Sequence, residues 1–89
     1  MTETDTINLL KNVGFFEVSR VTSFDCHRVA KDGTEQEVRV EILDAGLEVD
    51  PYLRYQCVAT TKDGKVATGN PDSSIDGVIS TVQWHRLDE

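Results

Sequence analysis

Eighty-nine residues, 38% of them hydrophobic and 28% charged, suit one globular domain spanning 1-89 and exclude a disordered or fibrous chain. Sixteen acidic against nine basic side chains leave a net charge of −7 and a pI near 4.6, which argues against unassisted nucleic-acid binding because phosphates would repel the surface. No apolar run approaches the ~20 residues of a membrane span, the start MTETDTINLL is acidic where a signal peptide is basic, and Cys26 and Cys57 are too few for a disulfide framework, so we expect a cytoplasmic chain with free, buried thiols.

Thr4, Asp5 and Thr6 offer helix caps, and Ile7, Leu10 and Val13 then recur at helical spacing, with Leu9 widening the stripe. Gly14 suits a left-handed stop, so the pattern predicts a short amphipathic helix over 5–13. So short a helix needs a surface to pack on. Residues 1–4 and 87–89 are expected to fray. From Phe15 the period changes, and Val18, Phe24 and Cys26 share a parity. Beyond Lys31-Asp32-Gly33, Val38, Val40 and Ile42 alternate with Glu37, Arg39 and Glu41, a strand with one dry face and one wet face.

The register of this first hairpin follows from its faces. A two-residue Asp32-Gly33 turn would set Cys26 opposite Arg39 and Phe24 opposite Glu41, mixing core with solvent. A three-residue loop, Lys31-Asp32-Gly33 with Gly33 left-handed in a bulge, pairs Cys26 with Val38 and Phe24 with Val40. It also sets Asp25 against Arg39 and His27 against Glu37 on the outer face, so this register is the expected one.

Asp44 to Pro51 is an acidic loop too long for a tight turn, and Pro51 keeps Asp50 extended. Tyr52 to Gly69 is the longest stretch of strand composition, turned at Lys62-Asp63-Gly64. A strand over about 52–61 would send Leu53, Tyr55, Cys57 and Ala59 inward and Arg54, Gln56 and Thr60 outward. A short strand over 65–68 follows. Residues 70–74 signal a loop and a helix start. Ile75, Val78, Ile79 and Val82 form one helix face, although Val78, Ser80, Val82 and Trp84 also alternate as a strand would. Ser73 with Asp76 three residues on is a cap-like opening, which favours the helix. Gln83 to Leu87 is expected as a closing segment, an edge strand with Trp84 inward.

The expected fold is α+β: a single small domain with an antiparallel sheet of three to four strands, and an N-terminal and a C-terminal helix on one face. Its order is α-β-β-β-(β)-α. The expected core is Ile7, Leu10, Val13, Val18, Phe24, Cys26, Val38, Val40, Ile42, Leu53, Tyr55, Cys57, Ala59, Ile75, Val78, Ile79, Val82 and Trp84. This order, with DGKVATGNPDSSID running into an apolar helix, resembles the double-stranded-RNA-binding domain. In that family a basic cluster at the start of the last helix grips phosphates across the groove. Here the place holds Ser73, Ser74, Ile75 and Asp76, so the resemblance implies the shape without the RNA-binding face.

Chemistry-bearing residues are few. Cys26, His27, Cys57 and His85 lack zinc-motif spacing, and neighbours Cys26 and His27 point to opposite faces of a strand, so no metal or other cofactor is expected. His27 beside Glu37 could orient an imidazole, but a general base also needs a pocket and a substrate-facing partner. No nucleophile elbow or phosphate loop is present. What remains is an acidic loop surface of Glu41, Asp44, Glu48 and Asp50, near Asp72 and Asp76, and an outer sheet face with Tyr52 and Arg54. The sequence therefore reads as a small acidic non-enzymatic binding module. Its expected contact is a basic protein met through Glu41, Asp44, Glu48, Asp50, Tyr52 and Arg54, in the manner of a regulator, inhibitor or accessory subunit. Two alternatives stand beside it: a degenerate double-stranded-RNA-binding-like domain, and a small enzyme using His27 and Glu37. The expected state is a monomer or a weak dimer through a sheet edge.

Overall fold

The computed structural model describes residues 2–89. Met1, part of the stretch expected to fray, lies outside the described residues. Helix α1 (Glu3–Asn12) precedes strands β1 (Arg20–Val29), β2 (Glu35–Asp44), β3 (Tyr55–Thr61) and β4 (Val66–Thr68), and helix α2 (Ile75–Ser80) follows. Two 3-10 turns, Pro51–Leu53 and Trp84–Asp88, complete the chain. The strands form one antiparallel sheet in the order β1-β2-β3-β4, so the fold is α+β as the patterning predicts.

Both hairpins turn on the same Lys-Asp-Gly device. Cys26 faces Val38, Phe24 faces Val40, Asp25 faces Arg39 and His27 faces Glu37, the register that the three-residue loop requires. Gly33 has φ 87° and Gly64 has φ 88°, the left-handed conformation that closes a bulged three-residue turn without a Cβ clash. The backbone N–H of Ala30 donates to Thr34 O at 2.7 Å, and that of Thr61 to Lys65 O at 2.9 Å, closing each loop in the same way.

Several elements start or end elsewhere than the sequence suggests. Thr2 caps α1: its hydroxyl accepts from Asp5 N at 3.2 Å, while Asp5 accepts from Thr2 N at 2.9 Å, a reciprocal capping box. β3 begins at Tyr55 because Asp50 accepts from Tyr52 N at 3.0 Å and starts the 3-10 turn, which leaves Leu53 exposed and out of the core. Residues 75–80 are helical, as favoured, but the cap is Ser74, accepting from Gly77 N at 3.0 Å, one residue later than expected. Gln83 to Leu87 is not an edge strand. The chain coils there into a 3-10 turn that packs on β4, with Gln83 N donating to Thr68 O at 3.1 Å.

The core is Val38, Ile42, Cys57, Ala59, Ala67, Val78, Val82 and Leu87, with Val40, Tyr55 and Trp84 packed against it. α2 lies on β3. Gly69 lets that layer approach: a Cβ there would sit 2.5 Å from Thr81 O. α1 does not join α2 on the apolar face. It stands at the end of the sheet by the β2–β3 loop, and Leu9, Leu10 and Val13 stay exposed, Val13 at 73%. Phe24, Ile75 and Ile79, also expected inside, are exposed too. The reason is length: α2 has six residues, about 9 Å of helix, and roofs β3 without reaching β1.

Leu87 takes the place that α1 leaves. Expected at a fraying end, it is 0% exposed. Its carbonyl accepts from Gln36 Nε2 at 3.0 Å. Asp88 next to it takes two hydrogen bonds from the Arg28 guanidinium, both at 3.1 Å, and one from Lys31 N at 2.9 Å. Arg28, Gln36 and Val38 share the inner face by parity, so the terminal turn crosses beneath the sheet from β4 to the first hairpin. Leu87→Ala is expected to cost about 2–5 kcal/mol, the range for emptying a fully buried leucine site, whereas Phe16→Ala, at a side chain 83% exposed, should stay within about 0.5 kcal/mol. Urea titration of both variants checks the contrast; equal losses would mean that Leu87 is not the centre of the core.

Candidate functional site

The sequence singles out the acidic loop between β2 and β3, and the structure shows what its carboxylates already do. Asp44 ends β2 and is spent on the fold. It accepts from Arg54 Nε at 2.9 Å, from the second guanidinium nitrogen at 3.1 Å and from Gly46 N at 2.9 Å. The Arg54 hydrogen bond, seconded by Gly46 N, holds the Asp44 carboxyl below its ordinary value against the opposing effect of burial. The same bond raises Arg54, whose guanidinium also lies 4.8 Å from the Tyr55 ring centroid. Asp44 and Arg54 therefore lock the loop's two ends together and present little free charge.

Glu48 and Asp50 are different. Glu48 is exposed and meets Lys11 of α1 at 3.5 Å, a surface pair of the kind that contributes little to stability. Asp50 is exposed and caps the 3-10 turn. Between and beside them the loop holds up Leu47, Tyr52 and Leu53, all exposed, with Tyr52 at 75%. Glu41 is half-buried on the outer face of β2, opposite Ser23 and Val58, and lies apart from the loop tip. Asp72 pairs through its backbone with Tyr55, with N···O distances of 3.1 Å in both directions, which brings the 70–74 loop to the start of β3. A depression of about 620 Å³ opens between α1, residues 17–19 and the loop, with Lys11, Leu43, Val49, Leu53, Arg54 and Gln56 on its walls. The tip thus combines exposed apolar side chains and exposed carboxylates, a mixture that the charge count alone does not show.

His27 lies at the opposite end of the sheet. Glu37 is its cross-strand neighbour, but the imidazole Nδ1 meets Glu35 Oε1 at 3.0 Å, and Glu37 is drawn away to Lys62. The Lys62 hydrogen bond is the main cause of the lowered Glu37 pKa. An open depression of about 900 Å³ adjoins His27 between the two Lys-Asp-Gly loops. Much of its charged lining already has partners: Asp88 meets Arg28 from β1, Lys62 meets Glu37, and Lys65 meets Asp63 at 3.8 Å. Among the described residues no group of three or more His, Cys, Asp or Glu side chains converges as a metal site, and no helix is long and apolar enough to cross a membrane. Cys57 is buried, which pushes its thiol pKa up, and Cys26 is half-buried.

Comparison with protein-family models, curated proteins and solved structures finds no match.

The Asp44–Arg54 lock carries a pH signature. A carboxyl whose folded pKa lies below the ordinary 3.8 contributes stability that is fully present above that value and is lost as pH falls through the folded pKa. Asp44→Asn should therefore lower the thermal midpoint at neutral pH, and the gap from wild type should close as pH drops below 3.8. Thermal melts across pH 2–7 check this, and a gap independent of pH would assign the loss to packing.

Proposed function

We propose that this chain is a non-enzymatic protein-binding module whose contact surface is the tip of the β2–β3 loop. The supporting observation is that exposed Leu47, Tyr52 and Leu53 stand together with the exposed carboxylates of Glu48 and Asp50 on one loop held rigid by the Asp44–Arg54 pair. Apolar and aromatic side chains supply the desolvated centre that interfaces need, and the exposed carboxylates at its rim, Glu48 beside Lys11 and Asp50 at the turn's cap, steer a basic partner and set register. A regulator, an inhibitor or an accessory subunit would use such a surface, engaging a basic protein in the cytoplasm. The enzyme alternative has less support, because His27 and its neighbouring carboxylates are exposed and already paired with other side chains. The RNA alternative has less support because the start of α2 carries Asp76 and no basic residue.

The combined variant Glu48→Lys and Asp50→Lys should weaken capture of a basic partner by about tenfold or more at low salt, and the loss should shrink as salt rises. Tyr52→Ser should weaken capture at every salt concentration, since it removes apolar contact. Affinity capture from native lysate with wild-type and variant baits reads both effects. Retention unchanged in both variants would move the interface off this loop, and RNA in the wild-type eluate would favour the nucleic-acid reading.

A further inference from the structure

Two apolar surfaces in this molecule lack a partner, and they lie on different elements. The first is a groove on the inner sheet face, a depression of about 450 Å³ lined by Thr22, Phe24, Cys26, Ile75, Ile79 and Trp84 over a floor of Val40 and Ile42. It carries no ionisable group except the Cys26 thiol. Phe24 on one wall is 52% exposed, and Ile75 and Ile79 on the other are exposed as well. The second is one side of α1. Ile7 and Lys11, four residues apart, face the chain's own loop: Ile7 Cδ1 lies 3.6 Å from where a Cβ on Gly46 would be, and Lys11 meets Glu48. Leu9 and Val13 then fall on the far side of the helix and Leu10 on the flank between, all three exposed and uncharged.

We propose that a second copy of this chain fills the groove, α1 of each copy laying Leu9, Leu10 and Val13 against Phe24, Ile75 and Ile79 of the other in a reciprocal two-fold dimer. This goes beyond the loop-tip reading and does not rest on it. Shape and polarity agree: a helix ridge of three aliphatic side chains meets a groove of aliphatic and aromatic walls. Area also agrees. Six half-exposed side chains, counted at both symmetric sites, remove on the order of 1,000 Å² of apolar surface before any rim is added, which reaches the size of a specific interface. Reciprocity closes the assembly and prevents a chain of head-to-tail contacts. Docking in trans keeps the Ile7 and Lys11 contacts of α1 with its own loop, whereas folding back onto the chain's own groove would give both up. The groove lining is uncharged and Asp5 borders Leu9 at the edge of the helix ridge, so the contact is apolar at its centre and tightens as salt screens the repulsion between copies of net charge −7.

Sedimentation equilibrium tests the state, and Cys26 in the groove tests the geometry. Wild-type protein is expected at twice the 9.9 kDa chain mass, with dimer favoured at higher salt. Val13→Glu and Phe24→Glu, both at exposed positions, should each halve that mass with the circular dichroism spectrum unchanged. Under mild oxidation Val13→Cys should give a disulfide-linked dimer that the added change Cys26→Ser abolishes. A wild-type monomer at all concentrations would overturn the proposal. So would a cross-link within one chain, which would place α1 on its own groove, or a dimer that survives both glutamate variants, which would place the contact at a sheet edge. Loss of partner capture by the loop variants with the dimer mass intact separates this interface from the loop tip.

Discussion

Closure of the apolar face by the C-terminal turn is the constraint on which the rest depends. A four-stranded sheet with one six-residue helix on it cannot bury its inner face, since α2 covers little more than β3. Leu87 supplies the missing side chain, and the Arg28–Asp88 pair fixes where it goes. Pairing matters here for placement, because the largely covered Asp88 carboxylate can lie there only with Arg28 and Lys31 N donating to it. The turn holds the hairpin-loop end of the sheet shut and leaves the β1 end open, and that asymmetry creates the groove beside Phe24.

The two ends of the molecule are consequently different in kind. At the hairpin-loop end nearly every charged side chain meets an opposite one, and the surface is polar and balanced. At the other end the β2–β3 loop and α1 hold large apolar side chains in water beside the exposed carboxylates of Glu48 and Asp50. An acidic chain can thus carry a net charge of −7 while concentrating its capacity for contact in a few positions. Charge in this molecule acts as a solvating background, and the apolar exceptions to it mark where contact can occur.

Much of the sheet is legible in the sequence, and the reasons are local. Alternation in Glu37–Ile42 and the left-handed demand at Gly33 fix the register of the first hairpin to the residue, because any slip exchanges wet and dry faces. The errors arise wherever a distant partner decides. Leu87 reads as a loose end because Arg28, which anchors its neighbour, is sixty residues away. Leu10 and Val13 form a valid amphipathic stripe, yet periodicity says which residues share a face and not what covers it. Leu53 has the right parity for a strand but belongs to a turn that Asp50 caps. The candidate loop is legible as acidic, while its division into a half-buried locked pair, Asp44 with Arg54, and the exposed carboxylates of Glu48 and Asp50 needs distances. Strand register sets His27 opposite Glu37, while side-chain reach brings its imidazole to Glu35.

Neighbouring strands in this sheet are all consecutive in the chain, so each can close over a short loop at little entropic cost. The closure made by Leu87 and Asp88 spans most of the sequence and gains its contacts only after the sheet exists to receive it. Loop-closure entropy therefore favours hairpins forming before the terminal turn. On that order a weakened turn would show in the unfolding limb of a chevron more than in the folding limb. The lifetime of the native state would then rest on the turn more than the speed of reaching that state does.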